Sequence, residues 1–188
     1  MKKIAIFASG SGSNAENIIC FFAQNPEICV NSVFCNVPDA YVLERAKKYH
    51  IPAYVFNREE LRNPEKVLHQ LKAQGIDFIV LAGFLWLMPG CITDAYPNRI
   101  INIHPALLPS YGGKGMYGHH VHQAVIAAGE KESGITIHYI NNRYDEGDII
   151  YQAKCPVLST DTPDTLAARV HELEYLHFPR VIEETINK

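Results

Sequence analysis

Nowhere in the 188 residues is there an unbroken apolar run of about 18, the length that a membrane-spanning helix needs, so no segment is expected to cross a bilayer. Cysteine is sparse. The five present (Cys20, Cys29, Cys35, Cys91 and Cys155) are odd in number and form no C-x-x-C pair, so neither a disulfide framework nor a local zinc site is indicated. A reducing, cytoplasmic compartment is the simplest expectation. Charge of one sign is also missing. Seventeen Lys and Arg against twenty Asp and Glu leave a net charge of −3 and a pI near 6.3, which argues against nucleic acid or a membrane surface as the main partner. The start, MKKIAIFASGSG, has two lysines and a short apolar run, but it breaks at Gly10 and Ser11 without a small-residue cleavage pattern and is not read as a signal peptide. There is no internal repeat, low-complexity segment or linker. A Walker A loop is absent because Gly113-Lys114 is followed by Gly115, and a G-x-S-x-G nucleophile elbow is absent too.

What is present reads as one globular domain, with 47% hydrophobic and 20% charged residues. Strand-like apolar runs at 3–8, 29–35, 52–56, 76–84 and 99–104 alternate with helical patterns at 13–24, 39–49 and 64–74. Asp39 is the N-cap candidate of the second helix, Pro64 opens the third and Gly75 closes it, and a short Pro-flanked helix precedes residue 99. This alternation predicts an α/β fold, an open and mostly parallel twisted sheet with helices on both faces. The second half differs. A Gly- and Pro-rich loop over 105–118 leads to a helix at 119–128. Two strands follow, GITIHYI and DIIYQAKCPV, joined by a polar loop at 141–148, and then a last helix with Thr162 as N-cap and Pro163 in its first turn.

Two stretches carry chemistry. FASGSGSNAEN follows the first strand and opens the first helix, where glycines let backbone N–H groups approach a phosphate and the helix N-terminus favours an anion. Gly10 to Ala15 fits the loose pattern G-x-G-x-x-G/A. The second strand, however, ends on Asn36 where a dinucleotide site wants an acid, so a phosphate or mononucleotide is favoured over NAD, with a plain glycine turn as the alternative. INIHPALLPSY is the second. Residues two apart on a strand share a face, so Asn102 and His104 point the same way, at the carboxyl end of a strand that Pro105 terminates. An amide that stabilises an oxyanion and an imidazole that moves a proton suit acyl transfer through a tetrahedral intermediate; a satisfied buried pair is the alternative. Asp145, Glu146 and Asp148, in a polar loop that is otherwise merely solvated, are candidates to orient the histidine. His119, His120 and His122 are expected at the surface rather than on a metal, and His171 and Glu174, three apart on the last helix, read by themselves as a solvated pair.

With NIHPALLPSY, YDEGDIIYQAKCPV, SGSGSN and VLAGFLWLMP on nearly its whole length, the chain resembles the folate-dependent formyltransferases. The resemblance implies a Rossmann-like formyltransferase fold. It implies transfer of the formyl group of 10-formyltetrahydrofolate, as co-substrate, to the amine of glycinamide ribonucleotide in purine synthesis. It further implies that no metal and no nucleic acid take part, and that the protein is a monomer or homodimer. Length favours this substrate over relatives that carry a tRNA-meeting C-terminal domain or a regulatory N-terminal one. Still open are a sugar-nucleotide formyltransferase, a formyltetrahydrofolate hydrolase and a non-catalytic nucleotide-binding module. Asn102, His104 and Asp145 match the family's catalytic positions. Gly12, Ser13 and Asn14 match phosphate contacts, and His171 and Glu174 match the ribonucleotide side. Leu85, Trp86, Leu87 and Met88, with Asn102, Asn141, Asn142, Arg143, Tyr144 and Asp145, match the folate pocket, and Arg58 matches a folate-contacting arginine. Trp86 stands where many relatives carry Arg, and the loop around 111–119 is longer than theirs. Residues 1–100 are expected to form the phosphate-binding half and 101–188 the catalytic and folate-binding half.

Overall fold

The structure is a computed structural model that describes residues 1–188. The first strand, β1 (Lys2–Ala8), sets the layering. Ile4, Ile6 and Ala8 enter one apolar cluster and Ala5 and Phe7 another, so both faces of the strand are covered, which is why it reads as an unbroken apolar run. Around it the sheet runs β3-β2-β1-β4-β5-β6-β7, with β2 (Ile28–Cys35), β3 (Ala53–Val55), β4 (Phe78–Leu81), β5 (Ile100–His104), β6 (Glu132–Tyr139) and β7 (Ile149–Pro156). The first five strands are mutually parallel, and β6 and β7 add on as an antiparallel pair. The open, mostly parallel sheet expected from the alternation is present.

On one face, α1 (Ser13–Phe22), α2 (Val42–Lys48), α6 (His119–Ala127) and α7 (Pro163–Ile186) supply residues to the larger cluster. On the other, α3 (Arg58–Arg62), a π-helical turn (Pro64–Leu68) running into α4 (His69–Ala73), and α5 (Gly90–Ala95) pack over a smaller cluster that contains the stacked rings of Phe7 and Phe34. The chain leaves β1 towards β2 and β3, then returns to place β4 on β1's other side. β1 and β4 therefore flank a topological switch point, and the crevice at their carboxyl ends is where such sheets bind ligands.

Several boundaries differ from the pattern in the sequence. The second helix starts at Val42 and not at Asp39, and no side chain caps it. The five-residue α3 was not expected, although Asn57 and Glu60 form a reciprocal capping box at its start. The strand expected over 76–84 keeps only Phe78–Leu81, because the chain turns at Gly83, whose φ is +74°. At α7 the expected cap is present: Thr162 accepts from the backbone N–H of Thr165, and Pro163 opens the helix.

Candidate active site

The turn after β1 is held from behind. The Gly10 carbonyl accepts from the Val42 N–H, the Ser11 carbonyl from Arg45 Nε and the Gly12 carbonyl from the Glu16 N–H. No protein acceptor meets the N–H groups of Gly10, Ser11 or Gly12, so these donors face the crevice at the start of α1. Gly12 must be glycine: its φ is +72°, and a Cβ there would collide with Val42. Ser9 ties this turn to the one after β4. Its hydroxyl donates to Asn36 Oδ1 (2.6 Å) and accepts from the Leu85 N–H (3.0 Å). Asn36, at the position that an acid would take in a dinucleotide site, is thus engaged within the protein.

At the end of β5, Asn102 and His104 pair across the ladder with His138 and Thr136 of β6. Thr136 is fully buried and satisfied: its hydroxyl donates to the Ala106 carbonyl and accepts from the Leu108 N–H and Gln152 Nε2, fixing the chain just after His104. His138 Nδ1 lies 2.9 Å from the Tyr139 carbonyl, which can only accept, so Nδ1 carries the proton and Nε2 is left with a lone pair. That lone pair accepts from Asn102 Nδ2 at 3.1 Å. Burial pushes the His138 pKa below the ordinary histidine value, which keeps it neutral in this role. By the same reasoning His104 Nε2, 2.7 Å from the Tyr111 carbonyl, is protonated, and His104 Nδ1 faces Asp145 Oδ2 at 3.7 Å. Asp145 Oδ1 lies 3.7 Å from His138 Nε2. Of the three acids in the loop, Asp145 is the one turned inward. Glu146 pairs with Arg143 in solvent, and Asp148 is exposed.

A cavity of about 950 Å³ runs from the β1 turn past Asn102, His104 and Asp145 to α7. On the α7 side Glu174 Oε2 accepts from Asn14 Nδ2 (2.8 Å) and meets His171 Nδ1 at 2.7 Å. The pair read from the sequence as solvated is therefore tied to α1, with Glu174 buried. His122, expected at the surface, is 4% exposed and lines the same cavity; burial is the main cause that lowers its pKa. Its Nδ1 and Asn14 Oδ1 are buried without protein partners, which fits a cavity built to receive a polar molecule. A second, smaller cavity of about 40 Å³ touches the first at Phe84, Trp86, Asn102, Tyr144 and Asp145.

The sequence candidates fall into place around these two spaces. Gly12, Ser13, Asn14, His171, Glu174, Arg58 and Leu85 line the large cavity; Leu87, Met88 and Arg143 line the small one; Trp86, Asn102, Tyr144 and Asp145 line both. Asn141 and Asn142 stand outside both and shape their own loop: Asn141 Oδ1 accepts from the Arg143 N–H, and Asn142 Oδ1 accepts from the Thr93 hydroxyl. No group of three His, Cys, Asp or Glu side chains is gathered as for a metal ion, His119 to His122 included. Two residues were missed. His138 sits inward in an apolar strand, and only its antiparallel register with Asn102 gives it away. His122 lies one turn into α6, on the face that lines the cavity with His104 and Glu174.

A sequence model described as "Formyl transferase" matches residues 2–182. Phosphoribosylglycinamide formyltransferase of Bacillus subtilis (strain 168) is 36% identical over 99% of this chain and 95% of its own. The chloroplastic phosphoribosylglycinamide formyltransferase of Arabidopsis thaliana is 39% identical over 96% of this chain, which spans 64% of that longer protein. Among solved structures, phosphoribosylglycinamide formyltransferase from Streptococcus pneumoniae TIGR4 superposes with a TM-score of 0.86 at 38% identity, covering 99% of each chain. The one from Anaplasma phagocytophilum superposes with 0.89 at 32% identity, covering 100% of this chain and 88% of its own.

Proposed function

This chain belongs to the formyl transferase family, and from that premise we infer that it is a phosphoribosylglycinamide formyltransferase, moving the formyl group of 10-formyltetrahydrofolate to the amine of glycinamide ribonucleotide. The observation that carries the reading is the convergence of Asn102, His104 and Asp145 in the large cavity, which has free backbone N–H groups on its wall, with Asn102 and Asp145 also bordering the small cavity lined by apolar side chains. The ribonucleotide phosphate takes the N–H groups of the β1 turn, with the start of α1 behind them. Glu174, held by Asn14 and His171, faces the same molecule as an acceptor for its hydroxyl groups. The folate enters over Trp86 and Tyr144 with its ring system towards Leu87 and Met88.

The amine nitrogen attacks the formyl carbon, and negative charge collects on the formyl oxygen. The bond from that carbon to the folate nitrogen then breaks, and a proton passes from the attacking nitrogen to the departing one. One Nδ2–H of Asn102 is engaged by His138, so the amide plane is fixed and its second N–H is free for the oxyanion. His104, protonated at Nδ1, places its positive charge at the same centre. Asp145 stabilises that charge from 3.7 Å and accepts a proton in relay. These residues require no metal for their part.

The test is formyl transfer by the purified protein, followed through the folate spectrum with and without glycinamide ribonucleotide. Folate turnover that needs the ribonucleotide supports the reading. Turnover without any amine would make the protein a hydrolase, and none with either would leave a binding module.

A further inference from the structure

Tyr111 is one of four non-glycine residues with a left-handed backbone, at φ +57°, and Asp145 is another, also at +57°. Such strain persists only where the surroundings over-determine it, and it gathers where geometry matters to function. Both strained residues converge on His104. The Tyr111 carbonyl receives His104 Nε2 at 2.7 Å, and the Asp145 carboxylate faces Nδ1 at 3.7 Å. Between them the chain is jammed in place. A Cβ on Gly112 would come within 2.6 Å of Leu108 Cδ2 and 3.2 Å of Asp145 Cβ, and the Gly113 N–H donates to Asp145 Oδ2 at 2.9 Å. Three consecutive residues thus present one carbonyl to the histidine and one N–H to its carboxylate.

This corner is pinned from outside the site. The Tyr111 hydroxyl donates to Glu130 Oε1 at 2.7 Å, on the exposed segment beyond α6, and that bond also raises the phenol's pKa. Neither the phenol hydroxyl nor Glu130 reaches the site directly, since Glu130 lines neither cavity. We propose that Tyr111, anchored by Glu130, is a positioning residue: its carbonyl holds the proton on His104 Nε2, so that the proton exchanged in catalysis enters and leaves at Nδ1, beside Asp145. The inference rests on the catalytic reading of His104 given above. A ring nitrogen facing an acceptor that has no proton to give must itself carry one, so the bond made by one nitrogen fixes the job of the other. Loosening the anchor frees the carbonyl to turn away, and the neutral ring then gains access to the other tautomer.

The experiment uses the full chain and three variants, Tyr111→Phe, Glu130→Ala and Glu130→Gln. Two-bond ¹H–¹⁵N correlation spectra of the histidine rings read the His104 tautomer directly. In the parent protein the neutral ring is expected as the Nε2–H form. In Tyr111→Phe and Glu130→Ala the Nδ1–H form should become measurable. In the same two variants kcat should fall by roughly 10- to 100-fold, the scale on which a small misplacement of a reacting group acts, while KM for both substrates stays within about twofold. Glu130→Gln keeps an acceptor for the hydroxyl and should restore both readings. An unchanged tautomer in both Tyr111→Phe and Glu130→Ala overturns the inference, as does a loss that appears only in KM. A shifted tautomer with unaltered kcat upholds the positioning role and removes His104 from the chemistry. Should either variant be impaired in folding, the other gives the same reading, because the two cut one hydrogen bond from opposite ends.

Discussion

Asn102 has two amide N–H bonds to place, and the structure commits only one of them, to His138. Asn102→Ala removes both, and turnover should drop by about 10²–10³, the usual loss when one oxyanion donor goes. KM for the ribonucleotide should change little, because the site proposed for its phosphate is the β1 turn and not Asn102. Steady-state kinetics of the folded variant test this, and near-normal turnover would remove Asn102 from the oxyanion role. That Asn102 and His104 lie side by side is legible in the amino-acid sequence, since an amide and an imidazole two apart on a short strand must share a face. His138 is not. An inward histidine in GITIHYI is indistinguishable from a core residue until the β5–β6 register sets it opposite Asn102. Asp145 needed the resemblance to be singled out from Glu146 and Asp148, because side-chain direction in an irregular loop has no periodicity to read.

The strand-to-helix unit that ends in Gly12 shows how an element becomes a binding surface. The carbonyls of the turn are taken by α1 and α2, which leaves the opposite edge of the same peptides, the N–H edge, to the crevice. Gly12→Ala would force a Cβ onto Val42 and hold an L-residue in the left-handed region, which alone costs about 1–2 kcal/mol. Stability should fall by at least that much, and KM for the ribonucleotide should rise more than KM for the folate. Denaturant melts and a comparison of the two KM values check both parts; a variant with altered folate KM alone would mean the two subsites are exchanged. The apolar run of β1 and the amphipathic pattern of α1 were readable to within a few residues, and so was the start of α7. The five-residue α3 was missed because so short a helix has too few turns to show a period, even with Asn57 and Glu60 capping it.

At the scale of the whole molecule, the two ends of the chain meet in the site. Asn14, near the start, bonds Glu174, near the end, so the large cavity exists only once both halves have folded together. The buried histidines make that folded state sensitive to acid. Burial lowers the pKa values of His122 and His138 from the ordinary 6.5, so the unfolded chain binds these protons more readily than the native one. Their contribution to stability is therefore complete above pH 6.5 and is lost as pH falls from 6.5 through the native values. Melting temperature should rise from pH 5 to pH 7, and His122→Gln should flatten that rise; an equal slope in the variant would show that His122 takes no part.

Trp86 is the only tryptophan in the chain. It borders both cavities, with the Arg58 guanidinium 4.7 Å from its ring centroid and the rings of Phe56 and Phe84 within 6.2 and 6.4 Å. All indole fluorescence of the protein therefore originates at the proposed folate doorway, and the emission is a built-in optical gauge of that subsite. A folate analogue should quench it as a pterin ring approaches or Arg58 is drawn off the indole, whereas glycinamide ribonucleotide alone, lodged towards α1 and α7, should leave it nearly unchanged. Titration of each substrate separately would give a binding curve for one and a flat line for the other. Equal quenching by both would place the ribonucleotide against Trp86 and redraw the division of the cavity.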